Sequence, residues 1–176
     1  RLTNLPSPAL PCPAHLLHPL MDPTVTKHLL FIAHAPSVNT RALRDAVVDG
    51  ASQTMGVELV VRAPLKATTG DVLGCDGLIL LTTENIGYMA GLTKDFFDRC
   101  YNDLLEQRPG LPVATLIRAG LDGTATKRAL NGIYLGLGWR SVSELTVLHG
   151  AWNDDFIPVA RDTGQAMAEG LSAGIF

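Results

Sequence analysis

The chain has 176 residues, 47% hydrophobic and 18% charged, with a formal net charge of -3. That length supports one domain with a real core, and the near-neutral balance argues against a nucleic-acid surface, which needs a clustered basic face. No apolar run reaches the ~18 residues of a membrane-spanning helix, so no membrane is expected as a partner. Residues 1–23, "RLTNLPSPALPCPAHLLHPLMDP", carry prolines at 6, 8, 11, 13, 19 and 23. Proline removes backbone donors and blocks helix and central strand, and no apolar stretch suits a signal peptide. The segment reads as an extension of a domain at 24–176, with Met21 as the expected natural start. Its removal should leave the melting temperature nearly unchanged.

From residue 27 onward short apolar runs alternate with helical patterns. "HLLFIAH" (28–34) predicts a strand. In 40–55, Leu43, Ala46, Val47, Gly50 and Ala51 share one helical face. "VELVVRA" (57–63) is strand again, and 68–75 predicts one capped turn with Thr69 as N-cap. "DGLILLT" (76–82) is a fully apolar strand. In 92–107, Leu92, Phe96, Cys100 and Leu104 recur at intervals of four, flanked by Phe97, Tyr101 and Leu105. Strand at 112–119, helix at 124–138, strand at 141–152 and helix at 158–171 complete five β-α units. Such units close into a three-layer α/β sandwich, a five-stranded parallel sheet with helices on both faces. By analogy with known doubly wound sheets the order is 2-1-3-4-5. Cys12, Cys75 and Cys100 have neither metal spacing nor a disulfide framework, which fits a reducing, cytoplasmic setting.

In such a sheet ligands bind beyond the carboxyl ends of the strands, at the switch between strands 1 and 3. The first loop there holds Pro36, Ser37, Val38, Asn39 and Thr40 at a helix start. Hydroxyls, an amide and unpaired helical N–H groups suit an anion such as phosphate, though Asn39 or Thr40 would serve equally as an ordinary N-cap. GxGxxG in the right context and GxxxxGK[ST] are both missing, which disfavours dinucleotide and P-loop sites. The second loop, "TTENIGYMAG", offers Thr82, Thr83, Glu84, Asn85, Gly87 and Tyr88. Backbone edges beside an aromatic suit a planar heterocycle. The third loop supplies Ala119, Gly120, Asp122 and Gly123, small enough for close backbone approach. His34 and His149 end strands and stand within reach of these loops.

Together the three loops resemble the flavodoxin family, in particular its NAD(P)H-dependent oxidoreductase branch. "TTENIGYMAGLTKDFFDR" is similar to the pattern T-P-E-N-[FL]-G-Y-M-S-G-x-x-K-D-F-F-D-R, and "AGLDG" to A-G-x-D-G. The resemblance spans about 28–172. It implies a flavodoxin-like fold and bound FMN, with the phosphate at Ser37–Thr40 and the ring against Thr82–Tyr88 and Ala119–Gly123. Val38 stands where the family has glycine, and it would be strained if the loop needs a left-handed residue there. The expected function is electron transfer through FMN to a redox partner protein or small acceptor. The alternatives are an NAD(P)H-dependent quinone reductase and a flavin-free binding module. Glu84 and Asp122 near the ring would lower its potential by like-charge repulsion. Gly87 would let a peptide turn toward the ring, and Tyr88 would cover its face. A receiver-type phosphoacceptor is disfavoured, because His34 and Thr82 end the strands that would need carboxylates.

Overall fold

The computed structural model describes residues 26–176. Its elements in order are β1 (Lys27–Ala33), α1 (Val38–Ala51), β2 (Val57–Arg62), α2 (Thr69–Leu73), β3 (Gly77–Asn85), β4 (Tyr88–Met89), α3 (Gly91–Leu104), β5 (Pro112–Ala119), α4 (Thr124–Leu137), β6 (Arg140–Ser141), β7 (Thr146–His149) and α5 (Phe156–Ser172). The proline-rich stretch, its histidines, Cys12 and the expected dispensability all lie outside the described residues.

The sheet runs β2-β1-β3-β5 with β6 and β7 along the far edge, all parallel. This is the expected 2-1-3-4-5 order, with two differences. The fifth strand, expected as one piece at 141–152, is split. Arg140–Ser141 pair Pro112–Val113, then Thr146–His149 pair Leu116–Ala119. Between them Leu145 turns into the core, 5% exposed, and carries the backbone off the ladder. The second difference is β4, which pairs antiparallel with the end of β3 and makes a hairpin where a plain loop was expected.

Both faces of the sheet are covered, which is why its central strands are apolar without alternation. Leu30, Ile32, Leu78, Leu80, Val113 and Ile117 pack under α3 and α4. Leu29, Phe31, Ile79, Leu81, Ala114 and Leu116 face α1 and α5. The predicted α1 stripe of Leu43, Ala46, Val47, Gly50 and Ala51 is buried as a set. Gly50 and Gly164 let α1 and α5 cross backbone to backbone. A Cβ on Gly50 would stand 2.0 Å from the Arg161 carbonyl oxygen, and one on Gly164 2.1 Å from that of Val47.

Local chemistry corrects three expectations. The cap of α2 is Thr68, not Thr69, in a reciprocal box with Asp71. In α3, Phe96, Phe97, Cys100 and Leu104 are buried, but Leu92 and Leu105 are exposed. The first turn of α3 stands at the sheet's rim, and Thr93 takes the inward place there, with its hydroxyl 2.8 Å from that of Thr82.

Candidate functional site

The first, second and third loops leave the carboxyl ends of β1, β3 and β5, which are neighbours in the sheet. At the first loop the N-cap of α1 is Ser37, in extended conformation, rather than Asn39 or Thr40. Ser37 Oγ accepts the Thr40 N–H at 3.2 Å, and Thr40 Oγ1 accepts the Ser37 N–H at 2.9 Å. The Thr40 hydroxyl can donate to the Ser37 carbonyl at 3.1 Å. With the Thr40 proton so placed, the Ser37 hydroxyl proton can either close the 3.0 Å contact with Thr40 Oγ1 or turn outward. The box occupies two of the orphan N–H groups of the helix start and leaves those of Val38 and Asn39 for an anion. Val38 is the first helical residue, and positive φ among described non-glycine residues is confined to Ile86 and Glu106. The expected strain at Val38 is therefore absent. Sequence reading passed over Arg41, whose guanidinium bends back onto the Pro36 carbonyl at 3.3 Å. Its signal was a cation in the first turn of a helix, an unfavourable place unless an anion lies nearby.

At the second loop β3 continues past the sheet to Asn85 and returns at Tyr88. Glu84 pairs with Met89 and Asn85 with Tyr88. The two linking residues, Ile86 and Gly87, have φ of 53° and 71°, the two left-handed centres of a type I′ hairpin turn. Gly87 thus shapes a turn, and no atom lies within 4 Å of where its Cβ would be. Ile86 projects wholly into solvent, and Tyr88 is 40% exposed. Thr82 is completely buried, held by Thr93, and is withdrawn from any ligand. Thr83 donates to the Asn85 side-chain carbonyl at 2.9 Å, so both serve the hairpin.

At the third loop Gly120 is exposed with open space at its Cβ position, whereas Gly123 is obligatory. Its φ is +70°, and a Cβ would meet Val147 Cγ1 at 2.6 Å. Glu84 is not a solvated acid. Its Oε2 accepts the Gly123 N–H at 3.3 Å and its Oε1 the Thr126 hydroxyl at 3.4 Å. Asp122 is exposed and accepts the Thr124 N–H at 3.0 Å. That bond, the Thr124 hydroxyl and the nearby His149 hold its carboxyl below the usual range. At the other end of the loop Arg118 donates to the carbonyls of Ala119, Leu148 (3.0 Å) and Gly150 (2.6 Å). Its guanidinium also lies 5.4 Å from the centre of the Phe156 ring. His34 is half-buried beside the first loop, and burial lowers its pKa, so the ring is neutral at neutral pH.

This edge also gathers exposed apolar side chains from all three loops and the start of α3: Val38, Ile86, Tyr88, Leu92 and Leu121. Cavities of about 320 and 180 Å³ lie elsewhere, one between α5 and the edge strand, the other beside α2. Among the described residues no three acidic, histidine or cysteine side chains are placed to hold a metal ion. Nor, among those residues, is any helix long and apolar enough to cross a membrane.

An open parallel sheet between two helical layers, with its candidate loops at the β1–β3 switch point, defines the fold class. Comparison with known proteins narrows it. The chain is 33% identical over 76 residues to a flavodoxin of Aquifex aeolicus (strain VF5), a match covering 43% of this chain and 41% of that protein. No family model matches. A flavodoxin from the domain Archaea superposes with a TM-score of 0.70 at 14% identity, over 82% of this chain and 98% of that one. Oxidised Flavodoxin 1 of Bacillus cereus gives 0.67 at 17% identity, again over 82% and 98%. A WrbA-like flavodoxin of Agrobacterium tumefaciens gives 0.62 at 13%, over 85% and 98%. The protein has the flavodoxin fold, and the sequence resemblance to flavodoxins is borne out.

Proposed function

We propose that the protein binds FMN at this edge and acts in electron transfer, exchanging electrons with a redox partner protein or a small-molecule acceptor. One observation carries the reading. The start of α1 keeps two N–H groups, the Ser37 hydroxyl and the Arg41 guanidinium for a phosphate, one strand away from the hairpin and two from the open Gly120 loop. Those residues fit a phosphate joined to a planar ring. FMN would supply the redox chemistry, and the protein supplies binding, orientation and field. Val38 and Asn39 hold the phosphate through main-chain N–H. Asn85–Tyr88 and Ala119–Asp122 present backbone and apolar surface to the ring. The flavin-free alternative rested on strain at Val38, and the helical conformation of that residue removes its motive.

The second reading, an NAD(P)H-dependent quinone reductase, draws support from the apolar rim of Ile86, Tyr88, Leu92 and Leu121. A planar apolar acceptor fits such a rim, whereas charge-steered carriers present an acidic face. Titration of apoprotein with FMN, followed by quenching of flavin fluorescence, tests the shared premise. A Kd in the micromolar range, about −8 kcal/mol, is expected. No binding at about 1 mM, worth only ~−4 kcal/mol, would overturn both redox readings. Steady-state NAD(P)H:quinone turnover by the loaded protein then separates them: slow turnover favours the carrier, fast turnover the reductase.

A further inference from the structure

The helix α4 starts without a side-chain cap from its N-cap residue, Gly123. Any side chain there would take a left-handed conformation and collide with Val147. The residue that normally supplies a capping oxygen is thus barred from carrying one. Asp122 takes the Thr124 N–H locally, and the acceptor for the Gly123 N–H, the bond that a side chain at the third helical position makes in a capping box, comes from residue 84, on a different strand end. Glu84 Oε2 takes the Gly123 N–H and Oε1 the hydroxyl of Thr126, itself fully buried. A carboxylate at a helix N-terminus is also favoured by the helix dipole.

Glu84 belongs to the base of the β3–β4 hairpin, where it pairs with Met89, and Met89 is anchored in the core under α4. One side chain therefore joins the second loop to the third. The third loop is pinned at its far end by Arg118, which holds the Ala119 carbonyl. Its middle, Gly120–Asp122, is exposed and open. We propose that Glu84 is a positioning residue: it fixes the separation of the hairpin and the Ala119–Gly123 loop, and so the width of the slot that takes the ligand's ring. The role of the slot rests on the FMN reading above. The link between the loops does not.

The test uses Glu84→Ala and Glu84→Gln, with Thr126→Val approaching the same contact from the helix side. Glutamine keeps an acceptor for the Gly123 N–H and a group that can bond the Thr126 hydroxyl, but removes the charge. In the protein without FMN, amide exchange in Gly123–Lys127 should accelerate about tenfold in Glu84→Ala, the loss expected for a hydrogen bond to a charged group. It should stay near wild type in Glu84→Gln. Thr126→Val should accelerate exchange in the hairpin amides Asn85–Met89. FMN affinity should fall about tenfold in Glu84→Ala and recover in Glu84→Gln. Unchanged exchange in both Glu84→Ala and Thr126→Val overturns the proposal, as does Glu84→Gln behaving like Glu84→Ala. If wild type binds no FMN but the exchange changes appear, the loop link stands and the FMN reading falls.

Discussion

Replacing Ile86 with asparagine should stabilise the protein. Ile86 holds φ of 53° at the first centre of the hairpin turn. An L-residue in that region costs about 1–2 kcal/mol, and a β-branched one is an outlier there. The side chain is fully exposed, at 106% of its reference area, so its removal forfeits almost no burial. Asparagine tolerates the left-handed region, and Asn-Gly is the preferred pair for this turn. Relief of most of the strain gives about 1 kcal/mol. For a domain near this size the melting temperature should rise about 2–4 °C. With an m-value of about 2 kcal/mol/M in urea, the unfolding midpoint should rise by about 0.5 M with m unchanged. Ile86→Val, equally β-branched, is the control and should gain nothing. An unchanged or lower midpoint for Ile86→Asn would refute the reasoning. It would mean that the isoleucine makes contacts in solution or that the tip is not left-handed.

Val38→Gly should not tighten FMN binding, because Val38 is already helical; glycine there should cost about 0.5–1 kcal/mol of stability, and tighter binding in a fluorescence titration would contradict the loop geometry. Gly50→Ala should destabilise by about 1–3 kcal/mol through overpacking, since its Cβ would fall 2.0 Å from the Arg161 carbonyl oxygen; a neutral urea midpoint would show that α1 and α5 separate freely. Partial burial pushes the Asp71 carboxyl up, but the Thr68 hydroxyl and N–H and the Arg62 guanidinium outweigh it, leaving the pKa below the ordinary 3.8. A depressed carboxylate contributes stability above its unfolded pKa and loses it as pH falls through the lower folded value. Thr68→Ala should therefore cost about 1 kcal/mol near neutral pH, and the gap to wild type should narrow as pH drops below 3.8; a gap that stays constant across that range would exclude the linkage.

The fold was legible because its signals are local and repeated. Apolar runs such as "LLFIA" and "LILLT" can be satisfied only between two helical layers, and the α1 stripe follows from spacing alone. The split of the last strand was not legible. It depends on Leu145 finding a place in the core, and nothing in "SVSELTVLHG" marks which apolar residue will leave the ladder. The hairpin was missed for a related reason. The usual sign of a two-residue turn is Asn-Gly or Asp-Gly, and here the chain forces Ile-Gly into the same shape. Strain of this kind is carried by the surrounding pairs Glu84–Met89 and Asn85–Tyr88, not by the residues that bear it.

The site was legible as three loops but not as a division of labour within them. Hydroxyls, acids and amides mark a loop as polar, yet sequence does not say which partners they already have. Thr82 is spent on Thr93, Thr83 on Asn85, Thr40 on Ser37, and Glu84 on a helix 39 residues away. Once those are subtracted, the first loop keeps main-chain N–H groups with one hydroxyl and one arginine, and the other two keep backbone, open glycine and apolar surface. On the proposed FMN reading, such a site would recognise its ligand mainly through backbone shape. Substitutions at the exposed loop positions Asn39 and Leu121 should then be tolerated better than those at Glu84, Thr126 or Gly123, which bond or pack against other protein groups and hold that backbone in place. On that reading Thr82, Thr83 and Glu84, which look like ligand-binding residues in the sequence, act one step behind the ligand.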